Sequence, residues 1–457
     1  MFGNRLDCSS TDEFRKKGWL GRVLKASLRV ACLVIAFLSL YAVSPVGVAG
    51  QQLISIETSP AFLCNLMDGR AVALGIHGAD LGVSVSVGST VWMIFGDTRG
   101  LGPGPPSGGT PTIGASSAIE SQIPFSCSTF SWLVSGGKFY QPLTSARKVG
   151  FDESTVPAGA ITLNGIIYIY AMQVNQWGSN SEGTHAHGVL FYREEQSSGP
   201  FAELTQWPVD QLFANAAPIA SELPDGTPAV FIATTAEYRH SPVYLAYVAP
   251  SQIGDSAAYH YLMGYTQNSS PLWTTQMNDA KPLPGLENVW AGEVSFLYDG
   301  PLNSYLIMFK DYETDSFTLY SSSTPYGPFV GPLTYFPCGT PLSRPTWMES
   351  GWGLCYGGYM VPGFFGSDGN ALYFVVSLWD PYTTVLMTMR LGTSSATAST
   401  SKIISPSKAN TTSAYTTSTE NSVAVPVLPL SIAVFGCGIA LVAAAIIARK
   451  SRKPDLP

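Results

Sequence analysis

The sequence predicts an all-β, five-bladed β-propeller placed between two apolar terminal segments. Residues 51–392 hold many short β-rich runs separated by Gly, Pro, Asn and Asp, with almost no helical periodicity. That pattern means a sandwich, barrel or propeller. Five stretches share one form, a strand, a Gly-containing turn and a more aromatic strand: "DLGVSVSVGSTVWMIFGDT", "PAGAITLNGIIYIYAM", "PIASELPDGTPAVFIATTAEYR", "GEVSFLYDGPLNSYLIMFKDY" and "YMVPGFFGSDGNALYFVVSLW". Their starts lie roughly 60 to 80 residues apart, longer than the repeat of small-blade propellers. Five four-stranded blades fit this length, and the strand near "LISIETS" can complete the last blade and close the ring. A β-sandwich with insertions is the competing architecture.

The ends are read by composition. Arg15, Lys16, Lys17, Arg22, Lys25 and Arg29 precede an apolar run over residues 30–48 that ends in Gly47, Val48, Ala49 and Gly50. Residues 1–49 therefore read as a signal peptide cut near Ala49, or as an uncleaved signal anchor. Residues 423–448 are apolar apart from Ser431, and Arg449, Lys450, Arg452 and Lys453 follow. About 20 apolar residues span a bilayer, and a basic cluster belongs on the cytoplasmic side. The expectation is a single-pass type I protein with a transmembrane helix over 423–448, a cytoplasmic tail over 449–457 and its bulk outside the cytosol, at the cell surface or on a secretory-pathway membrane. Residues 393–422 are mostly Ser, Thr and Ala, too polar to bury a core, and read as a stalk. Asn268-Ser269-Ser270 and Asn410-Thr411-Thr412 are glycosylation sequons.

Four of the seven cysteines fall in the exported part, Cys64, Cys127, Cys338 and Cys355. In an oxidising compartment they favour two disulfides. Of the three pairings, Cys64–Cys127 with Cys338–Cys355 joins near neighbours. Removing the +4 of residues 1–29 and the +3 of residues 445–457 from the total of −7 leaves −14 for the remainder. Such an exterior argues against nucleic acid or anionic lipid and suits a neutral glycan.

The first hairpin carries the chemistry. In "VWMIFGDTRG", Val91, Met93 and Phe95 alternate as a half-buried strand should, and Asp97 follows at once. A turn on Gly88 and Ser89 puts residue i opposite roughly 177 minus i, so Asp80 faces Asp97. Directly opposed side chains lie about 4.5–5.5 Å apart, and two carboxyls that close do not both ionise freely. Glycoside hydrolysis uses such a pair, one protonated and one ionised. The alternative is that Asp97 caps a turn and Asp80 ends a loop. Glu293 opens the fourth hairpin, with Lys310 opposite by the same count; Glu153 precedes the second. Tyr238 and Arg239 follow the third, while Tyr356, Tyr359, Trp379 and Tyr382 frame the fifth. In a propeller these converge on one channel mouth, where Trp379 is the aromatic best placed to meet a ligand. His185 and His187, two apart on a predicted strand, have metal-binding spacing but no third ligand, so no metal or other cofactor is expected.

The segments "ADLGVSV", "IFGDTRG", "AEYRHSPVYLA", "AGEVSFLYDG", "YGPFVGP" and "CYGGYMVPGFFGSDGNALYFVVSLWDPYTTVLMTMRL" together resemble a five-bladed propeller family of formerly unknown function, DUF4185, which includes bacterial endo-D-arabinanases. The similarity spans residues 70–392; its most specific part holds Tyr356, Gly357, Gly358, Tyr359, Ser377, Trp379 and Tyr382. The resemblance implies a glycoside-hydrolase-type propeller over 50–392. It implies Asp80 and Asp97 as the catalytic pair, without assigning which is acid and which is nucleophile or base. It also implies Glu293 as a substrate-orienting group or an alternative acid, and Arg239 as a holder of sugar hydroxyls. Glu153, Tyr238, Tyr356 and Trp379 complete the expected sugar-binding set. The stalk and apolar segment are unlike a freely secreted arabinanase, so fold transfers more safely than substrate. The function expected is cleavage of arabinan-like or other furanoside or cell-surface glycans. The alternatives are a catalytically silent glycan-binding propeller and an ectodomain with a protein partner.

Overall fold

Each of the five hairpins forms the two inner strands of one blade. The computed structural model describes residues 53–100, 116–123, 125–143, 154–176, 183–337, 353–363 and 369–394. The first blade comprises Leu81–Val87, Thr90–Phe95, Ser117–Gln122 and Ser131–Trp132. The second comprises Ser154–Leu163, Ile166–Gln176, His185–Glu194 and Ala202–Gln206. The third begins with Asn215–Glu222, Pro228–Thr235 and Tyr244–Val248 and carries a further hairpin, His260–Tyr265 and Pro271–Thr274, so it has five strands where four are expected. The fourth comprises Ser295–Asp299, Ser304–Asp311, Ser316–Ser322 and Val330–Pro337. The fifth is built from Gly353–Met360, Ala371–Asp380 and Thr383–Ser394. The inner strand of each blade touches the next, and the fifth touches the first, closing the ring.

Closure is completed from the N-terminal side, as the "LISIETS" run implies. Leu53–Ile56 pairs with one half of Thr383–Ser394, and Ala61–Asn65 pairs with the other. The Cys64–Cys127 disulfide forms and ties this closing strand to the first blade. It closes a separation of 63 residues, a loop for which a disulfide typically contributes about 2–4 kcal/mol. Cys355 is also disulfide-bonded, while Cys338, its expected partner, lies outside the described residues. So do the terminal segments 1–49 and 395–457 and the residue Glu153. Among the described residues no helix is long and apolar enough to cross a membrane.

The half-buried strand expected at Thr90–Phe95 is buried on both faces. Met93 and Phe95 pack toward the fifth blade, with Tyr356 and Val375. Trp92 and Ile94 pack toward the second, with Ile167, Ile169 and Val189. Stacking blades around a ring covers each sheet twice, so period-two alternation fades in the inner strands. The two-residue loops obey hairpin chemistry: Asn164 and Gly165 both take positive φ (51° and 76°), the type I′ turn that matches strand twist.

Candidate active site

All five inner strands run in the same sense, so their starts gather at one mouth. A small pocket there is lined by Asp80, Asp97, Val156, Asn215, Tyr238, Glu293, Tyr356 and Tyr359, drawn from every blade. Below it the channel widens into a separate, more apolar cavity of about 280 Å³ between Val83, Ala160, Ile219, Phe296 and Met360. The larger space holds no carboxyl. The ionisable groups sit in the smaller one.

Asp80 is fixed through its neighbours' backbone. The Ser377 hydroxyl accepts from the Leu81 N–H at 2.7 Å, the Thr384 hydroxyl donates to the Ala79 carbonyl at 2.9 Å, and Gly96 N–H donates to the Asp80 carbonyl at 2.9 Å. This last bond corrects the expected register. The count of 177 holds from Val83 opposite Ile94 to Val87 opposite Thr90, but a bulge at Gly82 shifts Leu81 onto Phe95. Asp80 therefore stands against Gly96, and Asp97 is one residue beyond. Leu81 and Gly82 take φ of 65° and 104°, a left-handed bend that is costly at leucine and re-aims the preceding side chain. A Cβ on Gly96 would meet Asp80 Oδ1 at 2.5 Å, so only glycine admits the carboxyl there.

Asp80 is 7% exposed. Tyr356 donates its hydroxyl to Oδ2 at 3.0 Å, whereas Oδ1 is buried with no partner at hydrogen-bonding geometry. Burial, then the nearby Asp97 charge, push Asp80 up to about 7; Tyr382 and Tyr356 act against that rise. Asp97 is only part-buried and accepts the Ser154 hydroxyl at 2.6 Å. The two acids thus share a pocket without being directly cross-strand, and their environments differ.

Glu293 is handled in the opposite way. It is 3% exposed, and Arg239 donates to Oε1 from Nη2 at 2.7 Å and Nε at 3.2 Å. Tyr238 donates to the same oxygen at 3.2 Å, and Gly357 N–H reaches Oε2 at 3.3 Å. Burial works to raise its pKa, but the Arg239 charge and these bonds hold the carboxyl below its usual value. Arg239 takes a left-handed φ of 60° and is ringed by Tyr238, Tyr312 and Tyr356 at 4.6, 4.9 and 5.1 Å. Lys310, expected opposite Glu293, instead pairs with Asp315 at 2.6 Å. Its backbone carbonyl accepts from Gly292, because the pairing shifts by one residue before Ser295.

At the rim, Trp379 is 42% exposed and meets Tyr356 and Tyr382 edge-on, at 6.3 and 5.9 Å. The Arg99 guanidinium lies 4.0 Å over Tyr382 and 5.9 Å from Trp379. The indole therefore stands exposed directly above the Asp80 side of the pocket.

Of the residues expected from sequence, Asp80, Asp97, Tyr238, Arg239, Glu293, Tyr356 and Trp379 come together at this mouth. Tyr238 and Tyr356 are buried, serving the two acids rather than facing outward. Ser154 and Asn215 were not foreseen, although both begin inner strands and so occupy positions equivalent to Asp80. Tyr382, seen only as a framing aromatic, touches the acid's environment. His185 pairs with Asp210 at 2.6 Å and buried His187 with Asn175 at 2.8 Å.

Several solved structures are similar in fold. A putative hydrolase from Bacteroides ovatus is 15% identical, with 70% of this chain and 86% of that chain covered and a TM-score of 0.48. The native arabinanase of Bacillus subtilis is 12% identical, covering 69% and 96% at a TM-score of 0.36. Trypanosoma rangeli sialidase is 10% identical, covering 74% and 59% at 0.38. No curated protein matches the chain. A family model described as a domain of unknown function, DUF4185, matches residues 68–388 and runs across all five blades. The chain belongs to the DUF4185 family.

Proposed function

We propose that the propeller is a glycoside hydrolase working with two unequal carboxyls, Asp80 as proton donor and Asp97 as the ionised partner. The observation that carries this reading is the state of Asp80, raised to about 7 by burial and the neighbouring Asp97 charge. A carboxyl still protonated near neutrality can assist a departing glycosidic oxygen, while an ionised one attacks the anomeric carbon or activates water. The carbonyl-pinned backbone of Asp80 and the Ser154 bond to Asp97 hold both groups in place before a substrate arrives. Arg239 and Glu293 supply fixed donors and acceptors for sugar hydroxyls, and Trp379 offers an aromatic face.

The substrate class in this reading is a neutral, arabinan-like or other furanoside glycan, in keeping with the acidic remainder of the chain. The protein is displayed at the cell surface on the 393–422 stalk and held by the 423–448 segment. The test is product release by the full chain from a panel of arabinans and cell-surface glycans, beside Asp80→Asn and Asp97→Asn. Release lost in both variants supports hydrolysis. Tight glycan binding without release by any of the three proteins gives the glycan-binding alternative instead.

A further inference from the structure

One exposed aromatic at the mouth has no part in that reading. Trp290 is 42% exposed, and its ring meets the His240 imidazole at a tilt of 57°, with centroids 4.0 Å apart. Both residues flank the buried ion pair, since Trp290 precedes Glu293 by three positions and His240 follows Arg239. The Trp290 backbone is clamped twice. Its N–H donates to Asp311 Oδ1 at 3.2 Å, and its carbonyl accepts from Tyr312 at 2.9 Å. Asp311 is held in turn by the Thr314 hydroxyl at 2.9 Å. A single exposed indole is ordinarily unremarkable on a protein surface. This one has a backbone held at both its N–H and its carbonyl, and its place in the ring is specific. Trp379 marks the junction of the fifth and first blades, where Arg99 reaches it, and Trp290 marks the junction of the third and fourth. In the order of the ring these are two different junctions, while the carboxyls line the pocket to which every blade contributes.

We infer that Trp290, backed by His240, is a second sugar-ring platform that works with Trp379 to bind a polysaccharide chain laid across the mouth. The apolar CH face of a sugar covers the indole while its hydroxyls stay in water, which is the use an aromatic ring with a wet surroundings serves best. Two platforms at different junctions of the ring select an extended neutral chain over a single terminal sugar. The inference takes the glycan class from the reading above, but it does not depend on cleavage.

The test is equilibrium binding of short and long linear arabino-oligosaccharides to the full chain carrying Asp80→Asn, which stops turnover. Affinity is expected to rise with chain length. Adding Trp290→Ala is expected to weaken the long oligosaccharides about 3–10-fold and leave the shortest unchanged. Trp290→Tyr, which keeps a ring, is expected to retain most of the gain. Unchanged length dependence in Trp290→Ala, or no length dependence in the parent, overturns the platform. Length-dependent binding lost in Trp290→Ala alongside no hydrolysis by the native chain keeps the platform and removes the hydrolase. Hydrolysis with Trp290→Ala indistinguishable at every length does the reverse.

Discussion

Asp80 and Glu293 are buried almost equally in one pocket, 7% and 3% exposed, yet the protein drives their ionisation in opposite directions. Glu293 has an arginine, a tyrosine and a backbone N–H around it, and its charge is kept. Asp80 is buried with a second acid nearby, the Tyr382 and Tyr356 hydroxyls only partly offset this, and its proton is kept to about pH 7. Burial alone does not set a carboxyl's role; the partners brought by neighbouring blades do. One pocket thus contains both a held proton and a held charge.

The largest expected effect comes from erasing the Asp80 side of this comparison. Asp80→Asn cannot deliver a proton, so kcat/KM on a cleaved glycan should fall about 10²–10⁴-fold, the usual worth of general acid catalysis. In the native protein the same quantity should decline as pH rises through about 7, where Asp80 loses its proton.

Erasing the Glu293 side instead should cost stability. Arg239→Met leaves a buried carboxylate without its cation, a change that typically destabilises by about 3–5 kcal/mol. Denaturant unfolding at pH 7 measures it, and the loss should shrink in the Arg239→Met, Glu293→Gln double variant. An equal loss in both would mean that the pair does not hold the charge.

Asp80→Asn should move stability the other way. The folded value of about 7 lies above the unfolded value of 3.8, so the native state binds this proton more tightly between them. That contribution is complete below about pH 4 and is lost as pH rises through 7, for a total of up to about 4 kcal/mol. The variant should therefore lack this slope and melt higher than the native protein at pH 8, with the gap closing toward pH 5. Calorimetric melts at the two pH values check the sign.

The smallest effect sharpens the comparison without removing a member. Tyr356→Phe deletes one of the two tyrosine hydroxyls that oppose the rise of Asp80. The alkaline decline in activity should shift upward by under about one pH unit, as one hydrogen bond allows.

How much of this was legible in sequence depended on distance along the chain. The five hairpins were visible because strand, turn and strand are local, and the count of 177 was correct across five residues of the first. It failed at Leu81-Gly82, where "LG" at a strand's edge marks a bulge that a regular count does not see. The second failure was the register at Lys310, whose backbone stands against Gly292 rather than Glu293; its ammonium goes to Asp315, and Arg239, 54 positions from Glu293, takes the acid. That choice is made between blades and leaves no periodic trace. Ser154 and Asn215 were recoverable in principle, since an acid at one inner-strand start implies that every inner-strand start faces the same mouth.

The most direct test is the ionisation of Asp80 itself. Carboxyl carbon NMR on aspartate-labelled protein, assigned by the signal lost in Asp80→Asn, reads its titration in place. A midpoint near pH 7, moving upward in Tyr356→Phe, is the result predicted. A midpoint at or below the ordinary aspartate value near 3.8 would contradict the assignment of Asp80 as the proton donor.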